Sequence, residues 1–176
     1  GIKEIGQFSF ARSSVAAISI PENVEKIGYG AFYHCDYLED VSIPDTVQVV
    51  EPKAFDYTGW VERFLNGTDG STGDFLISGG VLVAYRGVDN QVMIPEGVRV
   101  IAGEVFRNNN EIKSVVFPSG LVTIGEGAFE GCQNLERIQL SDTVENIKDR
   151  AFFGTALTKA KVILPMAVRS LGMLAF

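Results

Sequence analysis

The most reactive side chains in this sequence belong to its single histidine, His34, and to the neighbouring Cys35. A histidine can take the proton of a thiol and produce a nucleophile, provided that the two side chains converge and a third group orients the imidazole. Side chains of adjacent residues usually diverge, and the second cysteine, Cys132, follows a similar Ala-Phe sequence without a histidine beside it. The sequence therefore favours two structural, buried thiols over a catalytic pair, and no catalytic residue is predicted.

A second candidate site is the polar, glycine-rich segment at residues 66–74, in which Asp69 and Asp74 offer oxygen ligands for calcium. The segment lacks the alternating acidic ligands and the final glutamate of a twelve-residue calcium loop. A plain flexible loop is therefore the favoured interpretation. One histidine and two cysteines are also too few for a protein zinc site, which usually takes four nitrogen or sulfur ligands. We expect neither a metal ion nor a cofactor.

Charge and hydropathy exclude two further classes. The 176 residues contain 15 Lys+Arg and 22 Asp+Glu, which gives a net charge of −7. Nucleic-acid binders need clustered cations that displace counterions, so nucleic acid is not an expected partner. No apolar run approaches the roughly 20 residues that span a bilayer, and no membrane insertion is expected.

An internal repeat dominates the chain. The segment IGYGAF at residues 27–32 recurs as IGEGAF at 124–129 and as IKDRAF at 147–152. The phenylalanines that close the units stand at positions 10, 32, 55, 106, 129, 152 and 176. Most intervals are 22 to 24 residues, and the interval of 51 equals two periods of 23 plus five residues. We infer about eight units of about 23 residues, with one irregular unit near the middle.

A second pattern, Leu-x-x-Val-x-Ile-Pro, lies between these phenylalanines, most clearly at residues 38–44. Its last apolar residues alternate as in a half-buried strand, and the proline ends the strand because it has no N–H to donate. Each unit is thus predicted to contain a short strand, a turn and a return segment. One unit cannot bury its own apolar face, so the units must stack into a single solenoid domain over residues 1–176. Stacking places Cys35 and Cys132 about 19 Å apart, too far for a disulfide.

Residues 58–90 interrupt the pattern. Trp60 stands where the strand leucine is expected, and Gly79-Gly80 separates two apolar segments in the manner of a tight hairpin. We interpret this region as a decorated repeat, because the period resumes at Val92. Trp60 and Tyr85 are expected to fill the core at the interruption, in preference to stacking on sugars.

The combined pattern Ile-Pro-x-x-Val-x-x-Ile-Gly-x-x-Ala-Phe-x-x-Cys-x-x-Leu-x-x-Val resembles the BspA-like subclass of leucine-rich repeats, over nearly the whole chain. The resemblance implies a strand-rich α/β fold: a right-handed horseshoe with parallel strands on its concave face. It also implies a non-enzymatic, secreted or cell-surface bacterial protein, although the first residues carry no signal-peptide pattern. Asp89 departs from the pattern at a strand leucine position, and after Leu157 the strand is two residues too long.

The concave face is the predicted binding surface. Its solvent-side strand residues are predicted to be Asp40, Ser42, Gln91, Met93, Ser114, Val116, Arg137 and Gln139, joined by Ala17 and Ser19 at one end and by Lys159 and Lys161 at the other. This order passes from an acidic end through an uncharged centre to a basic end. Exposed apolar groups ringed by polar ones are typical of interface centres. Ordinary solvated strand residues remain the alternative interpretation.

These features predict a protein–protein interaction module. The resemblance implies adhesion to a host matrix or plasma protein, or to another cell-surface protein. The alternative is a structural spacer that projects other domains from a cell surface. The last residues, LGMLAF, provide no polar cap, so we expect either a piece of a longer array or end-to-end self-association.

Overall fold

The computed structural model describes residues 1–159 and 162–176, in which short strands recur at every turn of the chain. The elements in chain order are β1 (Glu4–Ile5), β2 (Ala17–Ser19), β3 (Lys26–Ile27), β4 (Asp40–Ser42), β5 (Val49–Val50), α1 (Gly59–Leu65), β6 (Phe75–Ser78), β7 (Val81–Tyr85), β8 (Gln91–Met93), β9 (Val100–Ile101), β10 (Ser114–Val116), β11 (Thr123–Ile124), β12 (Arg137–Gln139), β13 (Asn146–Ile147), a 3₁₀ turn (Ala156–Lys159) and β14 (Ser170–Leu171).

The three-residue strands form the first column of the solenoid. β2 pairs with β4, and β8, β10 and β12 pair in that order, all in parallel. Val41, Val92 and Val115, the middle residues of their strands, are buried, while the residues on either side point outward. This alternation confirms the half-buried strands that the Leu-x-x-Val-x-Ile pattern predicts.

The two-residue strands form a second column. β1, β3 and β5 pair in parallel, and β7, β9, β11, β13 and β14 continue the series after the interruption. The eight strands of this column bound about seven turns of about 23 residues. The solenoid and its period are therefore confirmed, with about seven turns where the phenylalanine count predicts about eight units.

After each two-residue strand the chain forms a tight segment that includes the repeated Ala-Phe, which we call an arm. Alternate amides of one arm donate to carbonyls of the next: Phe10 N–H to Ala31 (2.8 Å) and Phe32 N–H to Ala54 (2.8 Å). This ladder stacks the phenylalanine rings nearly parallel, with centroid separations of 5.1 Å (Phe10–Phe32), 5.2 Å (Phe32–Phe55), 4.7 Å (Phe106–Phe129), 5.3 Å (Phe129–Phe152) and 5.2 Å (Phe152–Phe176). The column fills the centre of each half of the molecule.

Each complete arm contains two residues with positive φ, one two positions before the phenylalanine and one two positions after it. In the arm that contains Phe129, both are glycines, Gly127 (φ 60°) and Gly131 (φ 73°). The glycine that directly follows the strand, Gly125, meets a different requirement. A Cβ there would lie 2.5 Å from the carbonyl oxygen of Ile101, so the glycine allows two turns to approach closely.

The interruption begins with a helix that the sequence analysis did not predict. Thr58 caps α1, because its hydroxyl accepts a hydrogen bond from the Val61 amide (3.2 Å). Val61 and Phe64 face the core, and Trp60 packs edge-on against Phe55 at 5.4 Å. Trp60 therefore does pack against the core, as expected, but from a helix and not from a strand.

The hairpin of the interruption is confirmed. β6 and β7 are antiparallel, and the turn residues Gly79 (φ 54°) and Gly80 (φ 74°) both have the left-handed conformation of a two-residue hairpin turn. β7 then pairs in parallel with β9 and restores the second column. Tyr85 lies 5.0 Å from both Phe75 and Phe106, which confirms it as part of the core at this point.

Candidate functional site

The outward-facing side chains of β2, β4, β8, β10 and β12 lie on one side of the solenoid, which we call the strand face. The structure places all eight predicted residues there: Asp40, Ser42, Gln91, Met93, Ser114, Val116, Arg137 and Gln139. Met93 is 66% exposed, whereas Ser114 and Val116 are half-buried. The parallel register sets Gln91 beside Ser114 and Ser114 beside Arg137 on neighbouring strands.

The strand face consists of two separate sheets, a feature that the sequence analysis did not predict. In regular turns the amide after the strand donates to the next strand, as Ile20 does to Ser42 (2.9 Å). After β4 the equivalent amide, of Ile43, donates instead to the hydroxyl of Ser78 (3.1 Å), which lies 3.3 Å from the Val41 carbonyl. Ser78 ends β6 and separates β4 from β8. Asp40 and Ser42 thus belong to a different sheet from the other six predicted residues.

An open groove of ≈ 380 Å³ lies across β10 and β12 in the larger sheet. Its polar lining residues are Gln91, Ser114, Glu136, Arg137 and Gln139, and its apolar ones are Val115, Val116, Ile138 and Val162. Five of the eight predicted residues therefore line one concavity. Backbone hydrogen bonds between the strands hold these side chains at fixed spacing, about 4.8 Å from one strand to the next.

The basic end predicted for this face does not take the predicted form. Lys159 ends the 3₁₀ turn and is not a strand residue, and Lys161 lies outside the described residues. The local reason is Leu157, which is buried within the turn and fills the core place that Leu135 fills one repeat earlier. Lys159 therefore lies in a turn, and the predicted strand position does not apply to it.

His34 and Cys35 point in different directions, as the sequence analysis predicts. The Cys35 thiol is buried and donates to the Phe10 carbonyl (2.9 Å), while His34 Nδ1 lies 3.3 Å from an Asp36 carboxylate oxygen. Cys132 makes the equivalent bond to Phe106 (3.0 Å), and burial raises the pKa of its thiol to about 11. Both cysteines are free, and each thiol serves as a hydrogen-bond donor between neighbouring arms.

The glycine-rich loop is organised around an arginine. The Arg86 guanidinium donates to the Phe64 carbonyl and to the Ser71 carbonyl (2.8 Å) and hydroxyl (3.2 Å), and lies 3.4 Å from Asp69. Hydrogen bonds from Ser71, together with the Arg86 charge, lower the pKa of the Asp69 carboxyl. The guanidinium thus contacts Asp69, one of the two acidic residues that the calcium hypothesis names. Within the described residues, no group of three or more His, Cys, Asp or Glu side chains could hold a metal ion.

A second groove, which the sequence analysis missed, lies beside the two-residue strands. It has a volume of ≈ 230 Å³ and is lined by Lys26, Val49, Val50, Glu51, Glu126, Lys148 and Asp149. The Lys26 ammonium bridges Glu51 (2.8 Å) and Glu4 (3.2 Å), and the hydrogen bond that it donates to Glu51 is the main cause of its raised pKa. Lys26 and Glu51 are thus paired with each other across one side of this groove. The repeat alone could not reveal this groove, because its two sides come from turns far apart in the sequence.

The sequence comparison identifies the repeat class. The family model for the BspA type leucine rich repeat region matches the chain in six copies over residues 1–67 and 88–176. The chain therefore belongs to this family, and the unmatched stretch, 68–87, contains most of the Arg86 loop and the hairpin. The repeats of this family typically form non-catalytic protein-interaction folds. No curated protein matches the chain.

A solved structure with the same overall fold confirms the architecture. The pneumococcal vaccine antigen PcpA is similar over 97% of this chain and 50% of its own length, at 22% identity and a TM-score of 0.55. The leucine-rich repeat protein TpLRR of T. pallidum is similar over 97% of this chain and 67% of its own (24% identity, TM-score 0.43). A leucine-rich repeat protein from Bacteroides ovatus is similar over 97% of this chain and 43% of its own length, at 25% identity and a TM-score of 0.42. The chain thus spans about half the length of PcpA.

Proposed function

We propose that this chain is a protein-binding module whose contact surface is the groove across β10 and β12 together with Met93. The observation that carries the proposal is the coincidence of this groove with the residues Gln91, Ser114, Val116, Arg137 and Gln139. The groove combines an apolar centre with a polar rim, the arrangement of interface centres.

The strands make this surface rigid before any partner binds. β10 is hydrogen-bonded to both β8 and β12, so a partner orders few groups beyond its own side chains. Met93 adds a flexible, polarizable side chain that adapts to different apolar partners. Arg137 supplies a planar charged donor suited to carboxylate groups of a protein.

The wider setting of the proposal is a secreted or surface-displayed bacterial protein that adheres to host proteins or to other cells. Membership of the BspA-type repeat family supports this setting. The cysteines fit it as well, because both thiols are buried, and a high pKa leaves Cys132 in its unreactive protonated form. No helix in the described part of the chain has the length and apolar character to cross a membrane.

The test is binding of this chain to surface-immobilised matrix and plasma proteins, compared with the double variant Met93→Asp/Arg137→Glu. We expect saturable binding to at least one protein, reduced by at least about tenfold in the variant. The matched control is Val88→Asp/Arg169→Glu, which changes one exposed apolar residue and one exposed arginine off the strand face, with the same change in net charge.

Three outcomes separate the possibilities. Loss of binding in the strand-face variant alone supports the proposed surface. Equal loss in both double variants would mean that charge, and not the groove, determines binding. No saturable binding to any immobilised protein favours the alternative function, a spacer whose repeats only project neighbouring domains.

A further inference from the structure

The arms of the first three turns carry a cluster of aromatic rings away from the strand face. We call Tyr29, Tyr33, His34 and Tyr57 the aromatic platform. His34 stacks on Tyr57 with centroids 4.5 Å apart and an interplanar angle of 11°. Tyr33 meets both of these rings edge-on, at 4.7 Å and 5.5 Å. The Lys53 ammonium lies 5.7 Å from the centroid of the Tyr29 ring.

Two of these rings stand at backbone positions that disfavour them. His34 (φ 57°) and Tyr57 (φ 58°) occupy the left-handed position two residues after the phenylalanine of their arms. The same position holds Gly131 and Gly154 in later arms, where no side chain opposes the left-handed conformation. Arg12 (φ 62°) and Asn108 (φ 59°) fill it in two other arms, so the left-handed conformation belongs to the arm itself. What distinguishes the arms of His34 and Tyr57 is that they place aromatic rings at this position.

The interruption leaves the platform accessible. Tyr57 belongs to the last arm before residues 58–90, and that unit has a helix and a hairpin in place of an Ala-Phe arm. Tyr57 is 49% exposed, although it stacks on His34. Tyr57 is thus the exposed ring of the platform, next to the internal break in the repeat, whereas Tyr29, Tyr33 and His34 are half-buried.

Polar groups border the rings. Arg12, His34 and Asp36 line an open depression of ≈ 300 Å³ beside the platform. The hydrogen-bonding contact between His34 and Asp36 orients the imidazole. Arg12, whose charge is opposite to that of Asp36, adds further hydrogen-bond donors. With Lys53 on the other side, the border contains cations, an anion and phenolic hydroxyls.

We propose that the aromatic platform and its polar border bind carbohydrate. A sugar ring combines a flat face of C–H groups, which packs on aromatic faces, with a rim of hydroxyls that both donate and accept hydrogen bonds. Side chains of mixed charge satisfy hydroxyls better than they satisfy a ligand of one sign. Proline-rich peptides bind aromatic-lined grooves, but here the edge-to-face contacts of Tyr33 close the space between rings, which removes the slots that prolines need.

The experiment is a glycan array of defined oligosaccharides, probed with this chain and followed by calorimetry on the strongest binders. The test variant is His34→Gly/Tyr57→Gly, which removes two rings. It places glycine at this arm position, as Gly131 and Gly154 do in later arms. We expect its affinity to fall at least about tenfold, because each aromatic contact contributes a few-fold or more. Its melting temperature should stay close to that of the unmodified chain, because the lost ring packing is offset by relief of left-handed strain.

The matched control is Asn108→Gly, a substitution at the same left-handed position in an arm outside the platform. It should bind the same oligosaccharides with unchanged affinity. Absence of binding to every arrayed glycan overturns the proposal, as does glycan binding that the double glycine variant retains. A polyproline decamer serves as the competing probe, and selective binding of that peptide to the platform would also overturn it. The strand-face variant should not alter glycan binding, which keeps this result independent of the proposed protein-binding surface.

Discussion

In the regular repeats, backbone groups bond to the backbone of the next turn, whereas in the unit at residues 58–90 side chains take over part of that role. The Ile94 amide donates to the Val116 carbonyl (3.0 Å), but the equivalent amide of Ile43 needs the Ser78 hydroxyl. The loop before the hairpin is held by the Arg86 guanidinium. A backbone ladder tolerates many side chains at the outward-facing positions, so the regular turns vary there while their core residues recur. The interruption depends on particular residues.

Because the regular repeats and the interruption are held together differently, removing a core ring should lower the stability of the fold by different amounts in the two regions. Phe129 is fully buried and lies between two parallel rings, so Phe129→Ala should lower the free energy of unfolding by about 3–5 kcal/mol. Tyr85, at the interruption, also contacts two rings but is only half-buried, and Tyr85→Ala should cost clearly less. Urea denaturation of both variants measures the two losses. Equal losses would mean that the core at the interruption is packed as tightly as the regular column.

Arg86→Met tests the loop. The methionine keeps an apolar stem against Phe64, whose ring lies 4.4 Å from the guanidinium carbon, but removes every hydrogen bond to the loop. We expect a loss of about 2 kcal/mol in the free energy of unfolding, with faster amide exchange at residues 66–74. The control is Arg63→Met, which breaks an exposed ion pair with Glu39 and should cost at most about 1 kcal/mol. Unchanged exchange in the loop would contradict the role given to Arg86.

Ser78→Ala tests the junction between the two sheets of the strand face. The substitution leaves the Ile43 amide without its hydroxyl partner, and we expect a cost of about 1–2 kcal/mol. Ser42→Ala, on the exposed side of β4, is the control and should change stability by less than about 0.5 kcal/mol. A thermal melt of each variant suffices. If both variants melt at the same temperature, a water molecule can replace the hydroxyl and the junction does not depend on it.

The contrast between the regular repeats and the interruption also explains which features could be predicted from the sequence. The strands, the phenylalanine column and the outward position of Gln91, Arg137 and their neighbours follow from recurrence, because equivalent residues must occupy equivalent places in stacked turns. Helix α1 occurs once, and the sequence analysis compared Trp60 with a strand position. The capping residue Thr58, with apolar Val61 and Phe64 three residues apart, is the local signal that could have revealed it.

The sites depend on contacts that recurrence does not describe. Arg86 reaches a loop 15 residues away from it, and a repeat alignment contains no equivalent of that contact. The aromatic platform escaped the sequence analysis for another reason. His34 and Tyr57 are equivalent to Gly131 and Gly154, but only the backbone geometry shows that this position is left-handed. The deviation from glycine carries information once the conformation is known.

The smallest expected effect concerns Glu126 and Glu130, two glutamates of the arm that contains Phe129. Their contributions to stability should depend on pH in opposite ways. Hydrogen bonds from Arg150 (2.6 Å and 3.1 Å), aided by the Arg107 charge, lower the pKa of the Glu130 carboxyl. A lowered pKa stabilises the fold above the ordinary glutamate pKa, and this stabilisation is lost as the pH falls through the folded-state value. At pH 7, Glu130→Gln should therefore cost at most about 1 kcal/mol, and the cost should shrink as the pH falls below the ordinary glutamate pKa.

Glu126→Gln is the comparison of opposite sign. Glu126 is exposed, but partial desolvation and the nearby Asp149, Glu51 and Glu104 carboxylates raise its pKa, so its ionised form destabilises the fold at neutral pH. Glu126→Gln should therefore stabilise the protein at pH 7, and the gain should disappear at acidic pH, where Glu126 is protonated in both the folded and the unfolded state. Urea denaturation of both variants at the two pH values measures the signs. If both substitutions shift stability in the same direction at pH 7, then the pairing of Glu130 with Arg150 does not distinguish these carboxylates, and their shared negative environment dominates.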